Sequence, residues 1–222
     1  MRPSAVLLDA LGTLVELSAP APRLRRLLER EGFAVDDARA AAGFRAEIAY
    51  YLDHHLEGRD AGSLDDLRDR CAEVMREALQ LPGLDHTTAR RAMLGSLEFV
   101  AFADVAGALT ALRKRGHTLV VVSNWDCSLP GWLSGAGVLD LVDAVVSSAE
   151  VGAAKPDPAP FLRGLELAGA EPADAIHIGD SPVNDLEGAR AAGVRGVLVD
   201  RAGAAPAGTP VVRSLGELAS LL

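Results

Sequence analysis

Hydrophobic residues along the chain fall into two rhythms. Short, nearly unbroken apolar runs stand at 5–8, 118–122, 144–147, 175–178 and 196–199. A strand with one wet face alternates apolar and polar residues, so continuous runs predict parallel strands covered by helices on both sides. Between them the period is helical. Residues 104–115 close at Gly116, 158–168 follow an Asp157 N-cap with Pro158 at the first helical position, 185–192 close at Gly193, and a last helix covers 215–222. Strand and helix in alternation predict a doubly wound parallel α/β sheet.

One region departs from that alternation. Residues 22–95 hold no strand-like run, only amphipathic stretches at 23–30, 37–56 and 64–79, with turns at Gly32, at GRDAG and at LPG. This predicts an α-helical subdomain inserted after the first strand. Residues 18–95 form the insert, and residues 1–17 and 96–222 form the sheet-bearing core. The Gly/Pro/Ala-rich stretch at 201–210 predicts a loop before the last helix.

Composition narrows the class. With 222 residues, 49% of them hydrophobic, the chain can bury a sizeable core. No apolar run approaches the ~18 residues of a membrane span, and the first run meets Asp9 too early for a signal-peptide core. A soluble, cytoplasmic protein is expected, with no membrane partner. The net charge of −9 argues against a nucleic-acid partner, because phosphate backbones are met by basic faces. Small molecules are the expected partners, and no pattern addresses oligomeric state. Cys71 and Cys127 are far apart in sequence, as expected of buried, reduced thiols.

Ligands of open parallel sheets sit beyond the carboxyl ends of the strands. Asp9 follows the first run, Ser123 and Asn124 the second, Lys155 lies in GAAKPDP past the third, and Gly179, Asp180 and Asp185 follow the fourth. Each alone has an ordinary reading as a turn, a cap or a solvated charge. In succession they give a carboxylate, a hydroxyl, an ammonium and paired carboxylates, the groups needed to attack an electrophile bearing anionic oxygens.

This ordered set resembles the haloacid dehalogenase superfamily over almost the whole chain. Its motifs are a nucleophilic Asp in hhhDxDGT, a Ser or Thr after the second strand, a Lys before the fourth, and GDxxxxD after it. They stand here as LLDALGTL, VVVSNWD, AAKPDP and IHIGDSPVND. The resemblance implies a Rossmann-like core with a helical cap in the position of the insert. It implies that Asp9 is the nucleophile, that Ser123 binds the transferring oxygens and that Lys155 neutralises them and fixes Asp9. It further implies that Asp9, the Leu11 carbonyl and Asp180 hold Mg2+, that Asp185 steadies the metal's surroundings or Lys155, and that Asn124 contacts substrate.

Position 11 departs from the pattern. Phosphatases of the family carry there an Asp that protonates the leaving oxygen; Leu11 has no proton to give. The dehalogenases also lack that acid, but begin DxYGT and tend to lose the metal-binding GD that this sequence keeps. The leading expectation is therefore a magnesium-dependent phosphatase acting on a small phosphorylated metabolite. The alternatives are a 2-haloacid dehalogenase using an Asp9 ester, and a catalytically degenerate ligand-binding member. The insert offers Arg45, Tyr50, Tyr51, His54 and His55, where spacings of four pair Tyr50 with His54 and Tyr51 with His55. Ordinary packing accounts for at least half of these. As substrate-binding candidates, Arg45 can clamp an anion, and Tyr50 with His54 can line a lid whose histidine moves protons. Trp125 and Trp132 read as packing residues.

Overall fold

The computed structural model describes residues 3–201, 203 and 210–218. Its strands are β1 (Ala5–Leu8), β2 (Val15–Leu17), β3 (Phe99–Ala101), β4 (Thr118–Ser123), β5 (Ala144–Ser147), β6 (Ala175–Gly179), β7 (Arg195–Val199) and β8 (Val211–Val212). Six of them form one sheet in the order β5-β4-β1-β6-β7-β8, and the register is parallel throughout. β2 and β3, too short to show a periodicity, make a separate two-stranded sheet.

The sequence of β1, AVLL, leaves no side chain suited to water, and all four residues are buried. The strand lies mid-sheet, with Leu8 level with Val121 of β4 and Ile178 of β6. After β1 the chain builds toward β5 on one side and then toward β8 on the other. The strand order thus reverses beside β1, which opens a crevice at its carboxyl end. One face is filled by Leu7, Val120, Val122, Phe161 and Leu165. A Cβ on Gly164 would come within 2.8 Å of Val122, so this glycine lets its helix lie close against the sheet.

The chain divides into two compact units, Met1–Glu16 with Val100–Leu222, and Leu17–Phe99. The second unit is helical: α1 (Pro20–Arg30), α2 (Asp37–His54), α3 (Ala61–Leu79) and α4 (His86–Ser96). Asp36, Asp60 and Asp85 cap α2, α3 and α4 by accepting from the amides of Arg39, Ser63 and Thr88. Leu24, Leu28, Phe44, Leu67, Met75, Leu79 and Met93 close the core of this unit. A Cβ on Gly43 would meet Leu79 at 2.8 Å, so the glycine sets how closely α2 and α3 approach.

The sheet-bearing unit adds α5 (Val105–Lys114), α6 (Leu129–Gly135), α7 (Ser148–Val151), α8 (Ala159–Ala168) and α9 (Gly188–Ala191). Several local expectations are corrected. The helix expected over 185–192 begins earlier, as a π-helical segment Pro182–Glu187 capped by Ser181, and continues into α9. The helix expected from Pro158 runs from Ala159, one residue later, and Asp157 accepts from the Ala159 amide at 2.8 Å as expected of an N-cap. Leu215–Glu217 forms a 3₁₀ turn, and the rest of the expected 215–222 helix lies outside the described residues beyond 218, as does most of the 201–210 loop. Cys71 is buried, but Cys127 is only half-buried. Among the described residues no helix is long and apolar enough to cross a membrane.

Candidate active site

The polar groups at the strand ends meet. Asp9 continues β1 by donating its amide to Ile178 at 2.9 Å, which fixes the direction of its side chain. Its Oδ1 accepts from Ser123 Oγ at 2.9 Å and from Lys155 Nζ at 2.6 Å. The same ammonium donates to Asp185 Oδ1 at 2.6 Å. Lys155 is buried, and its main chain is held by Asn124: the Lys155 amide donates to Asn124 Oδ1 at 2.7 Å, and Asn124 Nδ2 donates to the Lys155 carbonyl at 2.9 Å. The Lys155–Pro156 peptide is cis. Asn124 therefore spends both ends of its amide on the loop that carries Lys155.

Asp185 is fixed from three sides. Besides Lys155, its Oδ1 accepts from His177 Nε2 at 2.9 Å, and its Oδ2 from the Ser181 amide at 2.9 Å. Two glycines make room for the carboxylates. A Cβ on Gly12 would stand 2.0 Å from Asp180 Oδ2, and one on Gly179 would stand 2.1 Å from the Asp185 carboxyl carbon. Gly12 also has a φ of 82°, a left-handed conformation that disfavours other residues. In the turn after Asp9 the backbone hydrogen bonds fall on the Ala10 and Val15 carbonyls, not on that of Leu11. The Leu11 side chain is 44% exposed.

Electrostatics separates the three acids. Burial raises the Asp9 pKa, with Lys155 opposing and Asp185 adding to the rise. Burial would also raise Asp185, but Lys155 and the His177 hydrogen bond outweigh it and hold this carboxyl well below the usual range. Asp180 is exposed as a residue, yet loss of water around its carboxylate, then repulsion from Asp9 and Asp185, pushes it up to about 6. Burial works against the charge on Lys155, but Asp9 and Asp185 more than restore it and raise its pKa. Oxygens of Asp9, Asp180 and Asp185 lie within 4.8 Å of one another, with one ammonium among them. Three carboxylates facing a single cation make a donor set suited to a hard divalent ion, for which oxygen ligands are preferred.

The expected core residues Asp9, Ser123, Asn124, Lys155, Asp180 and Asp185 are thus all at the strand ends of one unit. Arg45, Tyr50 and His54 belong to the helical unit. Arg45 is exposed on α2, and the rings of Tyr50 and His54 stack at 4.0 Å. Tyr50 Oη accepts from Arg70 at 2.9 Å, while His54 Nδ1 lies 2.8 Å from the Tyr50 carbonyl. Tyr51 and His55 are tilted at 6.0 Å. Trp125 is buried, and Trp132 Nε1 donates to Ser128 Oγ at 3.0 Å. His177 was not among the expected site residues; its signal was a lone histidine inside an apolar strand, two residues before Gly179.

Comparison with known proteins places this geometry. A family model described as haloacid dehalogenase-like hydrolase matches residues 3–193. A relative from Bos taurus, haloacid dehalogenase-like hydrolase domain-containing protein 3, is 47% identical over 91 residues, 41% of this chain and 36% of that protein. The chain thus spans about a third of that relative's length. A plasmid-encoded phosphoglycolate phosphatase from Cupriavidus necator is 29% identical over 228 residues, 99% of this chain and 93% of that one. Among solved structures, a defluorinating L-2-haloacid dehalogenase superposes with a TM-score of 0.78 at 25% identity, covering 100% of this chain and 98% of that one.

Proposed function

The chain belongs to the haloacid dehalogenase-like hydrolase family, and from that premise we propose that it is a magnesium-dependent phosphatase acting on a small phosphorylated metabolite through an aspartyl-phosphate on Asp9. The observation that carries this reading is the third carboxylate: Asp180 lies within 4.8 Å of Asp9 and Asp185, while the Lys155 ammonium pairs only with those two. Displacing a halide from carbon calls for one carboxylate. Lys155 offsets Asp185, but Asp180, with no ion pair among the described residues, repels the nucleophile unless a further cation is to be held there.

The residues divide the work. With Oδ1 held by Ser123 and Lys155, Asp9 can attack phosphorus through Oδ2 in line with the leaving oxygen; the Oδ2–P bond forms as the ester P–O bond breaks. Water then attacks the phosphorus, the bond to Asp9 breaks, and phosphate leaves with the carboxylate restored. Lys155 and Ser123 offset the charge on the transferring oxygens. Asp9, the Leu11 carbonyl and Asp180 would hold magnesium, whose charge when bound stabilises those same oxygens. Leu11 gives the leaving group no proton, so weakly basic leaving groups are favoured.

That same residue favours a second reading. A halide departs without a proton, and a 2-haloacid dehalogenase would use Asp9 to form an ester at carbon. A panel of phosphorylated metabolites and short haloacids, assayed with and without magnesium, separates the two. Magnesium-dependent phosphate release, reduced ~10⁴-fold or more by Asp9→Asn, is expected. Magnesium-independent halide release would replace the first reading with the second. Thermal stabilisation by a panel member without either product would mark a ligand-binding protein that does not turn over.

A further inference from the structure

His177 sits in the middle of β6 with no exposed surface. Its ring meets Phe161 edge-on at 4.9 Å, a packing that any apolar side chain could supply. What distinguishes it is one hydrogen bond, from Nε2 to Asp185 Oδ1 at 2.9 Å, while Nδ1 is buried with no partner among the described residues. The protonation of Nε2 follows from its partner. Asp185 is a carboxylate and only accepts, so Nε2 carries a proton.

The bond lands where it matters for Lys155. Asp185 Oδ1 receives both the ammonium and the imidazole, and Oδ2 receives the Ser181 amide. Three donors from three segments leave the carboxylate a single orientation. Without the imidazole, Asp185 keeps the Ser181 amide on Oδ2 but only the lysine ammonium on Oδ1, so one of the three donors that fix its plane is lost. The ammonium that bridges Asp185 to Asp9 is then less closely placed beside the nucleophile.

We propose that His177 is a positioning residue: as an Nε2–H donor it locks Asp185, and through Asp185 it sets where the Lys155 ammonium stands beside Asp9. This rests on the reading of Asp9 as nucleophile and Lys155 as its partner. The imidazole has no hydrogen bond to Asp9 among the described residues; its one bond is to the Asp185 carboxylate.

The test compares wild type with His177→Gln, whose amide can still donate, and His177→Leu, which fills the space without a donor. With p-nitrophenyl phosphate and magnesium, His177→Leu should lose about 10–100-fold in kcat with KM changed less than about threefold. His177→Gln should recover most of that loss at the same folded fraction. Equal losses in both variants, or none in His177→Leu, overturn the proposal. Two readouts do not need turnover. The ¹⁵N signals of His177 in wild type should show Nε2 protonated; a bare Nε2 overturns the proposal. Crystal structures should show the Asp185–Lys155 bond displaced in His177→Leu and kept in His177→Gln; an unmoved pair in His177→Leu overturns it. If wild type hydrolyses no ester, the phosphatase reading fails while these two readouts still decide the role of His177. If His177→Leu does not fold, His177→Gln and the protonation of Nε2 in wild type decide it.

Discussion

Asp185 in the sheet-bearing unit and Glu47 in the helical unit are both carboxylates withdrawn from water, with 1% and 5% of their surface exposed. They end in opposite states. Asp185 has an ammonium, an imidazole and a main-chain amide on its two oxygens, and it is held as an anion well below the usual pKa. Glu47 lies on the buried side of α2 with Ala40, Gly43 and Phe44, has no ion pair among the described residues, and is pushed up to about 7 by loss of water alone. Burial by itself therefore does not decide charge. The partners do, and partners in the first unit come from strand ends far apart in sequence, such as Lys155 at 30 positions from Asp185 and 146 from Asp9.

The largest way to break this contrast is to take the cation out of the first unit. Lys155→Met leaves Asp9 and Asp185 buried and facing one another, which should cost about 3–5 kcal/mol at neutral pH and abolish turnover. The contribution of Asp185 to the pH dependence should also reverse, read as the difference between variant and wild type because Glu47 titrates in both. In wild type the lowered pKa of Asp185 gives stability that is present above its ordinary 3.8 and lost as pH falls through the folded value. In Lys155→Met the carboxyls gain by taking up protons, so the variant should regain stability as pH is lowered from about 7 toward 5. Denaturant titrations across that range check it; a variant as stable as wild type at neutral pH would mean that the cation does not hold the cluster.

A smaller change sharpens the contrast from the other side, by adding an acid where the cluster has an exposed leucine. Leu11→Asp places a carboxylate two residues after Asp9. If phosphoryl transfer lacks its proton donor, alkyl phosphates should be turned over poorly by wild type and gain about 10²-fold in the variant, the lower end of what positioned proton transfer supplies. Aryl esters such as p-nitrophenyl phosphate, whose leaving group needs no proton, should gain much less. Comparing kcat/KM for both ester types is the measurement. Should wild type already handle alkyl esters well, with His54→Ala and His55→Ala without effect, this account of position 11 fails.

Legibility in the sequence follows the same division. The five long strands and the residues just past them could be read, because a doubly covered strand must be continuously apolar and a polar residue at its end stands out. Strands of two or three residues such as β2, β3 and β8 carry too few positions for a periodicity. The helix α4 is hidden because its buried face is built of Ala89, Ala92, Met93 and Ser96, too small and mixed to make an apolar stripe. His177 was absorbed into a run read as apolar. The double bond from Asn124 to the Lys155 main chain joins residues 31 apart, and no local pattern encodes it. Glu47, too, sits where period alone marks a position and not its burial.

The mildest perturbation removes one ionisation from the helical unit. An isolated glutamate has an ordinary pKa of 4.5, and in the folded chain Glu47 is at about 7. Between those values the folded state binds more protons than the unfolded one, so stability is full below 4.5, falls as pH rises through the window and levels off above about 7. A shift of this size corresponds to on the order of 3 kcal/mol between the two ends. Glu47→Gln keeps the shape and a neutral head group but has nothing to ionise. The difference in unfolding free energy between wild type and Glu47→Gln should therefore be near zero at about pH 4.5 and grow to about 3 kcal/mol in favour of Gln by about pH 8. Asp180 titrates inside the same range at about 6, but it does so in both proteins and cancels in the difference. A flat difference across the range would mean that Glu47 finds a compensating partner on ionising. The contrast with Asp185 would then lie in the time at which each acid meets its partner and not in whether it has one.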